Sequence, residues 1–156
     1  MARLTTSKVL LGWREWVQLP ALHLTPIRAK IDTGARSCAL HAFYVERFRR
    51  AGGDWVRFGM HPLVKRQDLV VHCEARLVDR RIVTDSGGHR EQRCVIETTL
   101  LLGDHRVDAE VTLTDRETMQ FRMLVGRNAL RGFVVDPHRS FALGRVRPAV
   151  AEDFVP

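Results

Sequence analysis

Ile31-Asp32-Thr33-Gly34-Ala35 sets a carboxylate at the end of a strand-type run and follows it at once with a hydroxyl and a glycine. A strand ending at Ile31 would deliver the Asp32 side chain. The Thr33 hydroxyl can hydrogen-bond locally, and Gly34 permits a tight backbone turn. The same residues also suit an ordinary strand-to-turn junction closed by an Asx hydrogen bond. The surrounding sequence has to arbitrate.

Outward from this stretch the pattern is of strands. Val9–Leu19 is rich in apolar and aromatic residues and ends at Pro20, and Ile27–Ile31, Asp54–Phe58 and Leu69–Val78 are further strand-type runs. Arg93–Leu102, Arg106–Leu113 and Gln120–Val125 continue the series, with Gly103-Asp104 as a hairpin turn between two of them. Phe133–Val135 and Ser140–Leu143 complete it on either side of Asp136-Pro137. Helical spacing is confined to Phe43–Arg50, ahead of Gly52-Gly53, and to Arg127–Arg131, ahead of Gly132. Many short strands joined by turns predict an all-β sandwich or barrel, with one domain over residues 1–148 and a loose tail at 149–156.

Composition narrows the class. The chain has 156 residues, of which 45% are hydrophobic and 28% charged, as in a folded globular domain. No apolar run approaches the ~20 residues that span a bilayer. The basic start is followed only by the short apolar stretch Val9–Leu11, too brief for a secretory leader. Cys38, Cys73 and Cys94 are odd in number and show no Cys-x-x-Cys spacing, which fits reduced thiols. A cytoplasmic location is expected, with no membrane partner.

The net charge is +7, from 25 Lys plus Arg against 18 Asp plus Glu. Only Lys8, Lys30 and Lys65 are lysine; the other cations are arginine, scattered apart from pairs such as Arg49-Arg50 and Arg80-Arg81. A nucleic-acid surface normally clusters its cations and interleaves aromatics, so nucleic acid is not expected as a partner. A basic nucleic-acid binder remains a rival class, as does a non-catalytic binding or assembly module.

Met123-Leu124-Val125-Gly126-Arg127-Asn128 is an apolar strand followed by Gly-Arg-Asn. Together with Asp-Thr-Gly it resembles the retropepsin-like aspartic peptidases. Gly12-Trp13-Arg14-Glu15-Trp16-Val17, Ala29–Arg36, Ala39-Leu40-His41-Ala42, Arg81-x-Val83, Ser86-x-Gly88 and Arg93-x-Val95-Ile96 narrow this further. They resemble a bacterial retropepsin-like family that carries the label ATP-dependent zinc protease. The match runs from about Leu10 to Phe141.

The resemblance implies a closed β-barrel of retropepsin (acid protease) type with one short C-terminal helix opened by Gly-Arg-Asn. It implies an aspartic endopeptidase in which Asp32 is the catalytic carboxylate, Thr33 grips the loop of a second subunit, and Gly34 lets substrate backbone approach. One Asp-Thr-Gly per chain then requires a homodimer, because the chemistry takes two carboxylates. About 3 Å apart, such a pair shares one proton, one acting as base and the other as acid. Ala35 and Arg36 would bind substrate, with Ser86, Gly87 and Gly88 at the tip of a covering flap. Gly126, Arg127 and Asn128 would support the loop from behind. Retroviral relatives carry an acid where this chain has Arg36, and that acid pairs with the arginine of Gly-Arg-Asn. Arg127 therefore needs another acceptor.

The substrate class implied is a peptide or protein, glutamate-rich through the association of such proteins with ATP-grasp ligases that add glutamate. No metal and no other cofactor is expected. There is no His-Glu-x-x-His, Cys-x-x-Cys or His-x-His, and His72-Cys73-Glu74 would alternate across a strand. No Gly-x-x-x-x-Gly-Lys-Ser/Thr loop is present for ATP. Cys38 with His41 lacks an orienting third group for thiol catalysis, so Cys38 reads as core.

Overall fold

A computed structural model of the chain describes residues 8–63, 66–116 and 119–144; the expected tail at 149–156 lies outside them. Eleven strands are described: β1 (Val9–Gly12), β2 (Arg14–Val17), β3 (Ile27–Ile31), β4 (Cys38–His41), β5 (Tyr44–Arg50) and β6 (Gly53–Met60) in the first half. β7 (Val71–Thr84), β8 (Arg90–Leu102), β9 (His105–Thr114), β10 (Met123–Val125) and β11 (Phe133–Asp136) follow. Nine of them form one sheet in the order β2-β3-β10-β4-β9-β8-β7-β6-β5, and β1 pairs in parallel with β11 beside it. No helix among the described residues is long and apolar enough to cross a membrane.

Period-two burial makes these strands. In β3, Ile27, Ala29 and Ile31 are buried while Arg28 and Lys30 are exposed. The buried set joins Leu40, Phe58, Ile96, Leu100, Val111, Met123 and Val125 in a single core, each large side chain contributing about 1.5–3 kcal/mol of burial. The central detail is β10, which lies between β3 in parallel and β4 antiparallel. This brings Gly126 behind the turn that follows Ile31.

Four expectations are corrected. The sheet is not a closed barrel. Its terminal strands are β2 and β5, which do not pair, and the chain just after β2 meets the interior strand β8 only through one bridge between Gln18 and Leu101. Closure needs a continuous ladder between edges, and the edge strand β5 carries exposed Glu46, Arg47, Arg49 and Arg50, which discourage pairing.

The second correction is Phe43–Arg50, which is strand rather than helix. Tyr44 and Phe48, four apart, share a face in either conformation, so spacing alone is ambiguous. The turn decides: Ala51 (φ 50) and Gly52 (φ 79) both take left-handed conformations in a two-residue loop that joins β5 to β6, the twist that suits a hairpin. Phe48 then sits opposite Trp55.

The third concerns the C-terminal helix. Arg127–Ala129 is one 3₁₀ turn, closed by Leu130 N–H donating to Arg127 O, and Gly132 (φ 80) turns the chain away into β11. Three residues are too few to repay helix nucleation. The fourth is Ser140–Leu143, which is irregular: the N–H groups of Ala142 and Leu143 donate to the Glu15 carboxylate instead of to a ladder. Val9–Leu19 also divides at Trp13, with its two halves pairing different partners.

Candidate active site

Asp32 follows directly on β3, and its position is set almost entirely by backbone. Its N–H donates to Val125 O at 2.9 Å, and one residue earlier the Ile31 N–H donates to Trp13 O at 2.8 Å. The turn closes through Ala35 N–H to Asp32 O at 3.2 Å, and Gly34 N–H donates to Asp32 Oδ1 at 3.0 Å. Oδ2 accepts no hydrogen bond among the described residues. The carboxylate is half-buried, whereas Thr33, Gly34 and Arg36 are exposed.

The loop is latched from behind by the segment after β10. Arg127 N–H donates to Ala35 O at 2.8 Å and Asn128 N–H to Arg36 O at 3.0 Å. The Arg127 guanidinium donates to Thr33 O at 3.1 Å. That carbonyl is the replacement acceptor Arg127 required, since Arg36 stands where an acid would have paired with it. Gly126 passes so close that a Cβ there would overlap the Ser37 carbonyl oxygen and lie 2.9 Å from Ala35 O. Only glycine fits this approach.

Asn128 carries the latch one layer further. Its amide donates to Glu110 O at 3.1 Å on β9, and its oxygen accepts from the Cys38 thiol at 3.3 Å. Thr112 donates to Cys38 O at 3.2 Å and accepts from buried Arg93 at 3.4 Å. Arg81 grips both Glu110 carboxylate oxygens (2.9 and 3.1 Å) and Asp79 (2.7 Å). Burial pushes the Cys38 thiol up to about 11, with the Gly126 N–H opposing weakly. The side chain is an uncharged core residue with a hydrogen bond.

Thus Asp32, Thr33, Gly34, Ala35 and Arg36 meet Gly126, Arg127 and Asn128 in one hydrogen-bonded unit. Ser86, Gly87 and Gly88 do not join that unit. They form the exposed tip of the β7–β8 hairpin, with Gly88 at φ 84. Asp85 Oδ1 accepts from Gly87 and His89 N–H, both at 2.9 Å, and these bonds, foremost that of His89, hold its carboxyl below the usual range. No hydrogen bond or ion pair among the described residues joins this tip to the Asp32 loop. Glu110, Thr112, Arg93 and the Trp13 carbonyl were not anticipated, because a polar residue inside a strand has no local signature.

The residues do not fit a zinc ion. Among the described residues no group of three or more His, Cys, Asp or Glu converges as a metal site would. His72 meets the Tyr44 hydroxyl at 2.7 Å, Cys73 is buried, and Glu74 pairs outward with Arg50 and Arg57. His61 stacks on Phe43, and His41 Nδ1 accepts from Arg116 N–H.

Residues 10–145 match the family model described as RimB-like, retropepsin-like aspartic endopeptidase RimB. The chain belongs to this family. Among curated relatives, it is 39% identical over 143 residues to a protein of Shewanella halifaxensis, covering 91% of this chain and 31% of that one. It is 41% identical over 143 residues to one of Parasynechococcus marenigrum, again 91% and 31%. Both carry the name "Probable alpha-L-glutamate ligase", and the RimB-like chain spans under a third of their length. A solved structure of a Legionella pneumophila protein of unknown function superposes with a TM-score of 0.73 at 26% identity, over 86% of this chain and 98% of that one.

Proposed function

We propose that the protein is an aspartic-type peptidase whose dyad forms from the Asp32 residues of two copies. The observation that carries this reading is the latched loop. One half-buried carboxylate per chain has Oδ1 tied to Gly34 N–H and Oδ2 unengaged, on a backbone held by β10 and the Gly-Arg-Asn segment. Family membership supports it.

Two such carboxylates at close range share a single proton. The ionised one takes a proton from water as that water attacks the amide carbonyl. The protonated one polarises the carbonyl oxygen, and the pair then returns a proton to the leaving nitrogen. The net change is one amide and one water to one acid and one amine. Thr33 and Gly34, exposed at the loop surface, meet the second copy and the substrate backbone.

The expected bond is a peptide or isopeptide amide in a glutamate-rich chain. Exposed Arg36 beside Asp32, the net charge of +7 and the glutamate-ligase name of relatives that contain a homologous segment all favour an acidic substrate. Those fused relatives also favour a second reading, a non-catalytic module that holds glutamyl chains for a ligase. The two part on one substitution. Asp32→Asn keeps size and hydrogen bonding but removes the ionisable group, so turnover falls by about 10³-fold or more with the fold intact. Sedimentation of active wild type shows a dimer or a concentration-dependent mixture. Undiminished cleavage by Asp32→Asn, or activity in a species that stays monomeric, overturns the dyad.

A further inference from the structure

β7 changes partners along its length. Val71–Met60 to Arg76–Trp55 are its pairs with β6, whereas Leu77–Ile96 to Thr84–Arg90 are its pairs with β8, with a bulge between Leu77 and Asp79. Beyond Ile96, β8 continues to Leu102 with β9 on one side only, until Gln18 bridges to Leu101 on the other. The edge of β8 over Glu97–Leu100 therefore carries no strand. The 3₁₀ turn Pro20–Leu22 stands opposite this gap, anchored by the Cys73 thiol donating to Leu22 O. What remains open is a cleft of about 770 Å³ lined by Leu22, Trp55, Glu74, Arg76, Glu97 and Thr98, among others.

The cleft holds donors with nothing to donate to. Thr98 is only 6% exposed, and its hydroxyl is buried without a hydrogen-bond partner. A buried hydroxyl in that state costs about 1–3 kcal/mol. The Arg76 guanidinium makes no ion pair or hydrogen bond among the described residues. Arg76 is the cross-strand partner of Trp55, and both reach Gly53, where a Cβ would lie 3.8 Å from Arg76 Nη2 and 3.7 Å from Trp55 Nε1. Next to them, Arg50 and Arg57 share the one carboxylate of Glu74, which leaves that trio with surplus positive charge. Glu97, on the β8 wall, is the opposing charge.

We propose that this cleft is an accessory site for an extended acidic peptide. Its backbone lies along the free edge of β8 at Glu97–Leu100, as an added strand does. Its carboxylates point toward Arg76 and away from Glu97, and Thr98 finds its acceptor in the peptide. The choice of an acidic occupant rests on the acidic-substrate reading above; the cleft itself does not. The site would hold a glutamyl chain at a place separate from Asp32, raising its effective concentration at the cutting site.

The test uses the full chain carrying Asp32→Asn, so that nothing is cleaved, with fluorescein-labelled deca-glutamate titrated at fixed low salt. Deca-glutamate binds at least about 10-fold more tightly than deca-glutamine. Arg76→Glu weakens it by about 10-fold or more, and Thr98→Val weakens it a few-fold without lowering Tm. Equal binding by the Arg76→Glu protein overturns the proposal, as does tighter binding of single-stranded oligothymidine than of deca-glutamate at the cleft. Failure here is separable from failure of the peptidase reading. In protein with Asp32 intact, Arg76→Glu raises KM for a long glutamyl substrate and leaves cleavage of a capped tri-glutamate unchanged. A loss on both alike also overturns the accessory site.

Discussion

Gly126→Ala isolates one physical effect. The backbone at Gly126 has φ −93 and ψ −178, an extended conformation open to alanine without strain. Space is the obstacle. The new Cβ would overlap the Ser37 carbonyl oxygen and lie 2.6 Å from its carbon and 2.9 Å from Ala35 O. These are backbone atoms of the segment that returns from Asp32, so no side chain can swing aside to relieve the overlap. Either β10 withdraws or the 35–37 segment does, and each movement stretches the bonds from Arg127 N–H to Ala35 O and from Asn128 N–H to Arg36 O. Overpacking of this kind costs about 1–3 kcal/mol. Two stretched backbone bonds add about 1–2 kcal/mol. The expected sum, about 2–5 kcal/mol, lowers Tm by about 4–20 °C for a domain of this size. If Asp32 reacts as proposed, activity falls further than stability, since a displacement of about 1 Å at a reacting group costs about 10²-fold. Thermal melts and cleavage of a glutamyl peptide below the melting range read the two effects. A variant with wild-type Tm and wild-type kcat/KM would refute the close-packing account of the loop.

Glu15 is fully buried and accepts from Gly12, Ala142 and Leu143 N–H at 2.6, 2.9 and 3.2 Å. Glu15→Ala strands three donors and costs about 3–5 kcal/mol in chemical denaturation, with Glu15→Gln milder because one acceptor oxygen remains. Burial raises Cys38 to about 11 and Cys73 to about 12, so at pH 8 iodoacetamide modifies half-buried Cys94 well before either, as read by mass spectrometry. The sign for stability follows from the raised values. The contribution of these two thiols is intact below the unfolded value near 9 and is lost as pH climbs through 11 to 12, so denaturation midpoints fall on the alkaline side. Arg36→Asp removes any enrichment of Asp and Glu beside the cut in a mixed peptide library, by about 10-fold or more; an unchanged profile excludes Arg36 as the selector.

The strands were legible because they rest on short-range rules, whereas the segment at Gly126-Arg127-Asn128 was singled out only through a family resemblance. Ile27–Ile31 alternates strictly between buried and exposed, Gly103-Asp104 turns as a glycine hairpin turn should, and Gly126 is demanded by contact rather than by torsion. Tyr44–Arg50 misled because a spacing of four is even as well as near-helical, and only the left-handed Ala51-Gly52 turn resolves it. Closure of the sheet could not be read from any one strand, since it depends on whether β2 and β5 meet. Arg93, Thr112 and Glu110 were invisible for a related reason. The bonds that tie them to the latch span 18 to 74 positions, and a polar side chain in a strand gains meaning only when the register that faces it is known.

The hydrogen bonds that place Asp32 have a consequence for specificity. Val125 O, Asp32 O, Ala35 O, Arg36 O and Thr33 O are all main-chain acceptors, so the carboxylate is positioned without help from the side chain at position 36. An acid at that position would be drawn onto the Arg127 guanidinium. Here that guanidinium is occupied by the Thr33 carbonyl, and Arg36 is left exposed with no ion pair among the described residues. Geometry and charge are thereby uncoupled. The backbone latch fixes where the Asp32 carboxylate stands, while position 36 is free to set the sign of the field beside it. Under the proposed peptidase reading, a cation there favours a carboxylate-bearing substrate at the rim, and it does so without disturbing the latch. Removing the charge with Arg36→Gln, which introduces no rival acid for Arg127, should accordingly alter which peptides are cut and leave the melting temperature where it was.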